Sequence, residues 1–175
     1  MDWPSSLVWN THYSLTAIGG SPKEQDYTRS QNIGFVCDLA RMSPFHAFAP
    51  LGGWMRMLDS ATDVNQIKLY YGLNGECIGY VVWAYLAPDV ERRFLLGKDL
   101  SLHFTEWNEG SRLWIIDFLI PRKSLPYVIG DLRNELFKNN DSITYYRRNN
   151  DRYTVKHLSR KAGSNVLSKT EVTAP

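Results

Sequence analysis

The chain is short of the usual covalent and lipid-borne supports. It has only two cysteines, Cys37 and Cys77, in 175 residues. Both lie in apolar stretches without C-x-x-C or metal-ligand spacing. That excludes a disulfide-stapled secreted scaffold, fits a reducing compartment, and leaves two thiols expected to be buried and inert. No apolar run approaches the ~20 residues of a membrane-spanning helix, and MDWPSSLVWNTH lacks the basic start and unbroken apolar core of a signal peptide. A cytoplasmic protein with no membrane span is therefore expected. The formal net charge is only +2, too small for a chain that binds nucleic acid through bulk charge. Also missing are the phosphate-cradling G-x-x-x-x-G-K loop, the H-E-x-x-H zinc helix and the G-x-S-x-G elbow, and neither HFTE nor GECIG contains a ligand cluster. Neither a metal nor a permanently bound cofactor is expected. These absences favour chemistry that needs a positioned base and little else.

What is present fits a single α/β domain, since a chain of this length can bury roughly two thirds of its unfolded surface. Residues 1–31 combine Trp3, Trp9 and Tyr13 with the turn-prone GGSPKEQDYTRS and are expected to be an accessory arm. From Asn32, a candidate cap, Ile33, Val36, Cys37, Leu39 and Ala40 form a helical stripe that stops before Ser43-Pro44. A second stripe, Trp54, Met57, Leu58 and Ala61, follows Pro50 and Gly52-Gly53. The segment IKLYYGLNGECIGYVVWAYL predicts an antiparallel hairpin about Asn74-Gly75, with Gly79 marking a bulge or a close backbone approach. Pro88 can open a helix through DVERRFLLG, whereas KDLSLHFTEWNEGSR shows no clear pattern. LWIIDFLIP has the composition of a central strand, and Ser124 precedes an amphipathic helix. SITYYRR and RYTVKHL predict two further strands. The main domain is therefore expected over 32–160, followed by a polar tail at 161–175.

Asp117 is the anomaly in the central strand. Strict alternation places it on one face with Leu113, Ile115 and Leu119, opposite Trp114, Ile116, Phe118 and Ile120. A carboxylate among apolar neighbours must find a hydrogen-bond partner or open onto a cleft. It is either a structural acceptor or part of a site. Of the four histidines, His12, His103 and His157 fit solvated or structural roles, while His46 sits in the constrained turn Ser43-Pro44-Phe45-His46, where a loop between helices can present an imidazole to a cleft. A run of basic residues from Arg147 to Lys161 is the strongest local charge asymmetry. Beside Tyr145 and Tyr146 it could contact RNA, or it could steer an acidic protein.

Three stretches resemble the toxin-activating lysine acyltransferases that mature RTX protoxins. NIGFVCDLARMSPFH is similar to that family's first helix and its Ser-Pro-x-His turn, and GYVVWAYL resembles its A-Y-x-x-W-A-x-L strand. The most specific stretch, EWNEGSRLWIIDFLIP, resembles the block W-x-x-G-x-R-x-W-x-I-D-W-x-x-P. The resemblance implies a fold like that of the N-acetyltransferases, with a mixed central sheet and flanking helices. It also implies His46 and Asp117 as catalytic residues. The implied donor is a fatty acyl-carrier protein, and the acceptor is an internal lysine of a protoxin or another protein. A homodimer is compatible with it; nucleic acid is not an implied partner. The chain departs from the family pattern at Val82, Tyr85 and Met57, which stand where a serine and two asparagines are expected. The alternative function is a noncatalytic carrier-binding or protein-interaction module on the same fold. A small-molecule N-acyltransferase using coenzyme A is a third reading, which a narrow pocket shaped for a free amine would favour.

Overall fold

The computed structural model describes residues 24–96, 101–149, 152–160 and 167–172. Helix α1 (Glu24–Ala40) and α2 (Leu51–Asp63) precede the hairpin β1 (Ile67–Tyr71) and β2 (Cys77–Leu86). Helix α3 (Pro88–Leu95), strand β3 (Arg112–Leu119) and helix α4 (Leu125–Asp131) come next, and α4 runs on as one wider turn, Leu132–Leu136. Strands β4 (Ser142–Asn149), β5 (Arg152–Arg160) and β6 (Leu167–Val172) complete a six-stranded sheet in the order β1-β2-β3-β4-β5-β6. All neighbours are antiparallel except β3 and β4. Among the described residues, no helix is long and apolar enough to cross a membrane.

The two faces of the sheet carry separate cores. Tyr80, Val82, Ala84, Leu86 and Trp114 pack against Val36 and Leu39 of α1, Leu58 and Ala61 of α2, and Val90 and Phe94 of α3. Val81, Trp83, Leu113 and Ile143 face Val128, Leu132 and Phe137 on the other side. β2 is therefore apolar in both directions because it is buried in both, the composition expected of a central strand.

Two sequence boundaries move. Asn32 lies inside α1, which starts at Glu24, because EQDYTRSQ contains no glycine or proline to stop a helix. The arm expected over 1–31 thus ends in helix, and its residues 1–23 lie outside the described residues. Part of the tail expected from residue 161 is strand, since β6 pairs along β5 from Arg160↔Leu167 to Val155↔Val172.

The strict alternation expected along β3 is also corrected. Val82 pairs with Asp117 and Trp83 with Ile115, so Ile116 is an extra residue opposite the join. That bulge reverses the parity of the residues beyond it. Ile116 and Leu119 consequently face the α1–α3 core, while Ile115, Phe118 and Ile120 face α4. Asp117 joins the α1–α3 face, away from Leu113 and Ile115. A second bulge leaves Ile78 extra between Tyr70↔Gly79 and Tyr71↔Cys77. Gly79 beside it is also a close approach: a Cβ there would lie 2.5 Å from Ile120 Cδ1 and 2.6 Å from the Leu119 carbonyl oxygen. Gly79→Ala should therefore cost about 1–3 kcal/mol in denaturant unfolding, the usual cost of overpacking.

The β3–β4 contact is the one that opens the sheet. Their parallel ladder consists of Trp114↔Thr144 and Ile115↔Tyr145. Beyond it β3 stays with β2 and β4 with β5, so the strands diverge at the level of the Ile116 bulge and Asp117.

Candidate active site

His46 opens a short helical turn, His46–Phe48, between α1 and α2. Ser43 begins the bend, with its carbonyl accepting from the Ala47 N–H at 2.9 Å, which brings the His46 ring back over its own turn. His46 Nδ1 lies 2.8 Å from Ser43 Oγ, and Nε2 lies 2.9 Å from Asp117 Oδ1. Residues 71 positions apart in sequence thus meet, with only 7% of the His46 side chain and 14% of the Asp117 side chain exposed.

Asp117 is saturated. Oδ1 accepts from His46 Nε2 and from the Phe118 N–H at 2.8 Å, while Oδ2 accepts from Tyr80 Oη at 2.7 Å and from Trp54 Nε1 at 3.3 Å. An ionised carboxylate has about four lone-pair positions, so none is left for another cation. Burial by itself pushes the Asp117 carboxyl up. The hydrogen bond and charge of His46, with the bonds from Tyr80 and Phe118, outweigh burial and hold it below the usual carboxylate range. Burial and the adjoining Asp117 carboxylate push the Tyr80 phenol far up, which keeps it a donor. An ionised Asp117 accepts only, so in the neutral form of His46 it is Nε2 that carries the proton. Nδ1 is then the basic nitrogen and accepts from the Ser43 hydroxyl.

The depressed Asp117 pKa has a definite sign for stability. An ionised Asp117 favours the fold above its unfolded value of ~3.9, and that contribution is lost as pH falls through the lower native value. In denaturant unfolding the advantage of the native protein over Asp117→Asn should therefore shrink below about pH 5.

The pair opens onto a cavity of about 900 Å³, within the ~300–1,000 Å³ range of ligand sites. Trp54 and Met57 line it from α2, Leu102 and Trp107 from the connection before β3, and Ile116 from the bulge. The other candidates from the sequence lie elsewhere or serve the fold. His103 shares the cavity wall but caps the turn Phe104–Trp107 with Glu106. His157 Nδ1 is 3.0 Å from Thr144 Oγ1, across the β4–β5 pair. His12 falls outside the described residues. Tyr146 packs on Phe94 and Trp114 and donates to the Phe94 carbonyl, which removes it as a base-stacking surface. The basic run is not one exposed field either. Lys156 is 4% exposed, and Arg160 donates to the carbonyls of Arg133, Phe137 and Asn140 at the end of the α4 segment.

Ser43, Trp54 and Tyr80 did not stand out as site residues in the sequence. Trp54 resembled one member of an apolar helical stripe. Tyr80 carried the one available signal: a tyrosine in a strand apolar on both faces must place its hydroxyl somewhere.

A mixed sheet whose parallel strands part beside a buried histidine–carboxylate pair defines an N-acetyltransferase-like frame. The chain belongs to the RTX toxin acyltransferase family, whose model matches residues 25–167. It is 27% identical over 108 residues to the lysine-acyltransferase RtxC of Vibrio cholerae serotype O1, covering 61% of this chain and 69% of that protein. It is 30% identical over 109 residues to the RTX-II toxin-activating lysine-acyltransferase ApxIIC of Actinobacillus pleuropneumoniae, covering 56% and 67%. An uncharacterized protein of a Synechocystis species is 29% identical over 108 residues, covering 61% and 73%.

Proposed function

We propose that this protein transfers a fatty acyl group from a carrier-protein thioester to the ε-amino group of a lysine in a protoxin or related protein, with His46 as general base. The observation that carries the reading is the His46–Asp117 contact at the base of an open, largely apolar cavity. An amine attacks only when neutral, and a free lysine has a pKa near ~10.4, so a base beside it has a task. The lysine nitrogen forms a bond to the thioester carbonyl carbon and loses a proton toward His46 Nδ1. As the tetrahedral intermediate collapses the carbon–sulfur bond breaks, and that proton leaves with the carrier thiol. Asp117 holds Nε2–H in place and stabilises the imidazolium. With its lone pairs occupied, it does not bind the incoming ammonium. Backbone N–H groups near the bulged β2–β3 pair receive the developing oxyanion.

Ser43 Oγ lies 2.8 Å from Nδ1, and the proton passes to the base through its hydroxyl. Ser43→Ala should lower kcat about 10–100-fold, at the lower end of general-base effects, with KM for the donor unchanged. Equal activity would show that the amine reaches Nδ1 directly.

Transfer is direct, without an acyl-enzyme. Burial, aided by Asp38, pushes the Cys37 thiol up, and burial pushes Cys77 up, so neither is primed as a thiolate. Serine replacements of either should alter packing more than turnover.

The acidic carrier docks on the basic β4–β5 hairpin, where Arg147 is exposed, Arg148 follows it in β4, and Arg152 starts β5 paired with Asn149. Charge reversal at Arg148 and Arg152 should slow carrier association most at low salt, because such steering is screened beyond ~10 Å at 0.1 M. An unchanged association rate at low salt would remove this surface and leave the transfer chemistry standing.

A further inference from the structure

We propose that Met57 measures the acyl chain and so determines which chain lengths the cavity accepts. This rests on reading the cavity as the acyl-transfer site. Gly53, Met57 and Ser60 line it together, a spacing that places them on one side of α2. At the helical rise, Gly53 and Ser60 are ~10 Å apart along the axis. Trp54, one turn before Met57, reaches Asp117 with its indole and so marks the reactive end of this groove.

The groove is open at that end and walled by apolar groups just beyond it. A Cβ added at Gly53 would meet nothing nearer than the Arg56 guanidinium, at 4.0 Å. Met57, Leu102 and Ile116 are partly buried against the α1–α3 core, and Trp107 belongs to that core. The other acids lining the cavity besides Asp117 are already held, Asp59 by Arg29 at 2.9 Å and Glu106 by Arg93 at 2.8 Å. A thioester carbonyl held beside His46 thus directs its hydrocarbon along the side of α2 that carries Gly53, Met57 and Ser60, where Met57 is the one apolar side chain of the three. An amide at this position would have to be desolvated by the chain. A methionine instead offers an unbranched, polarizable wall that yields to chains of different length.

The test needs no acceptor protein. Acyl-pantetheine thioesters from butyryl to palmitoyl are titrated calorimetrically against the full chain and against Met57→Trp, Met57→Phe, Met57→Ala and Met57→Leu, each checked for folding by thermal melting. The aromatic variants should shift the preferred donor to shorter chains, lowering the long-to-short affinity ratio by about tenfold or more, and alanine should shift it to longer ones. Leucine, close in volume, should stay near wild type. If tryptophan prevents folding, phenylalanine and alanine decide the question. An identical length profile in all folded variants would overturn the role of Met57. If the unaltered protein bound no acyl thioester of any length, the acyl-transfer reading itself would fall.

Discussion

His46→Ala should lower kcat about 10²–10⁴-fold, the range of a positioned general base, and should leave the protein folded. Nδ1 is the one ring nitrogen not committed to a carboxylate, and no other described histidine or free carboxylate reaches the same point: His103 caps its own turn and Asp117 is occupied on both oxygens. The His46 ring packs against Tyr80 and Trp54 and holds the buried Asp117 carboxylate, so its removal also lowers stability, and turnover is compared on folded protein. The check is steady-state kinetics beside a thermal melt. A folded variant with full turnover would remove the base on which the mechanism depends.

Asp117→Asn should cost both turnover and stability. The carboxylate accepts from His46, Trp54, Tyr80 and the Phe118 N–H. An amide keeps one acceptor oxygen and turns two donor hydrogens toward this ring of donors. With the nitrogen at the Oδ2 position, Tyr80 can reverse its hydroxyl, but the indole N–H of Trp54 cannot accept and loses its partner. The unmatched donor should cost about 1–3 kcal/mol in denaturant unfolding. In the other orientation the nitrogen takes the Oδ1 position, Trp54 and Tyr80 keep their acceptor and the Phe118 N–H loses its own; His46 must then present an unprotonated Nε2, which leaves the proton on Nδ1 and blocks that nitrogen as a base. A loss in kcat of about 10²–10⁴-fold is expected from the wrong tautomer together with the lost charge. Tyr80→Phe, which removes one donor from a carboxylate that retains three others, should have the smaller effect on rate, and comparison of the two separates tautomer control from packing.

The elements most legible in sequence are those whose pattern reports a local rule. Asn74-Gly75 between β-rich runs specifies a hairpin, and the structure has Gly75 at φ 81° between β1 and β2. Pro88 starts α3, and the apolar LWIIDFLI becomes the centre of the sheet. What escapes is set by long-range contact. The β3 bulge has no signature of its own in the sequence, because its cause is the pairing of Val82 with Asp117 and Trp83 with Ile115. Period-two reasoning therefore put Asp117 on the wrong face even as it identified the residue as anomalous. The turn carrying His46 was visible through Ser43-Pro44, but its partner across 71 residues was not. Trp54 and Tyr80 looked like core residues and are, except for one polar atom apiece. The basic run looked like a single surface. Strand alternation and the carbonyls ending the α4 segment take Lys156 and Arg160 out of it.

Direct transfer from carrier thioester to lysine is tested most squarely by following a labelled acyl group through a single turnover. Purified protein is mixed with labelled acyl carrier, sampled before any acceptor is added, then given a protoxin-type acceptor, with intact mass and peptide mapping at each time. Direct transfer predicts no label on the enzyme before the acceptor arrives, an amide-linked acyl-lysine on the acceptor afterwards, and loss of both rate and product in His46→Ala. Stable label on the wild-type enzyme that later chases to the acceptor would contradict it, and the labelled residue would identify the true nucleophile.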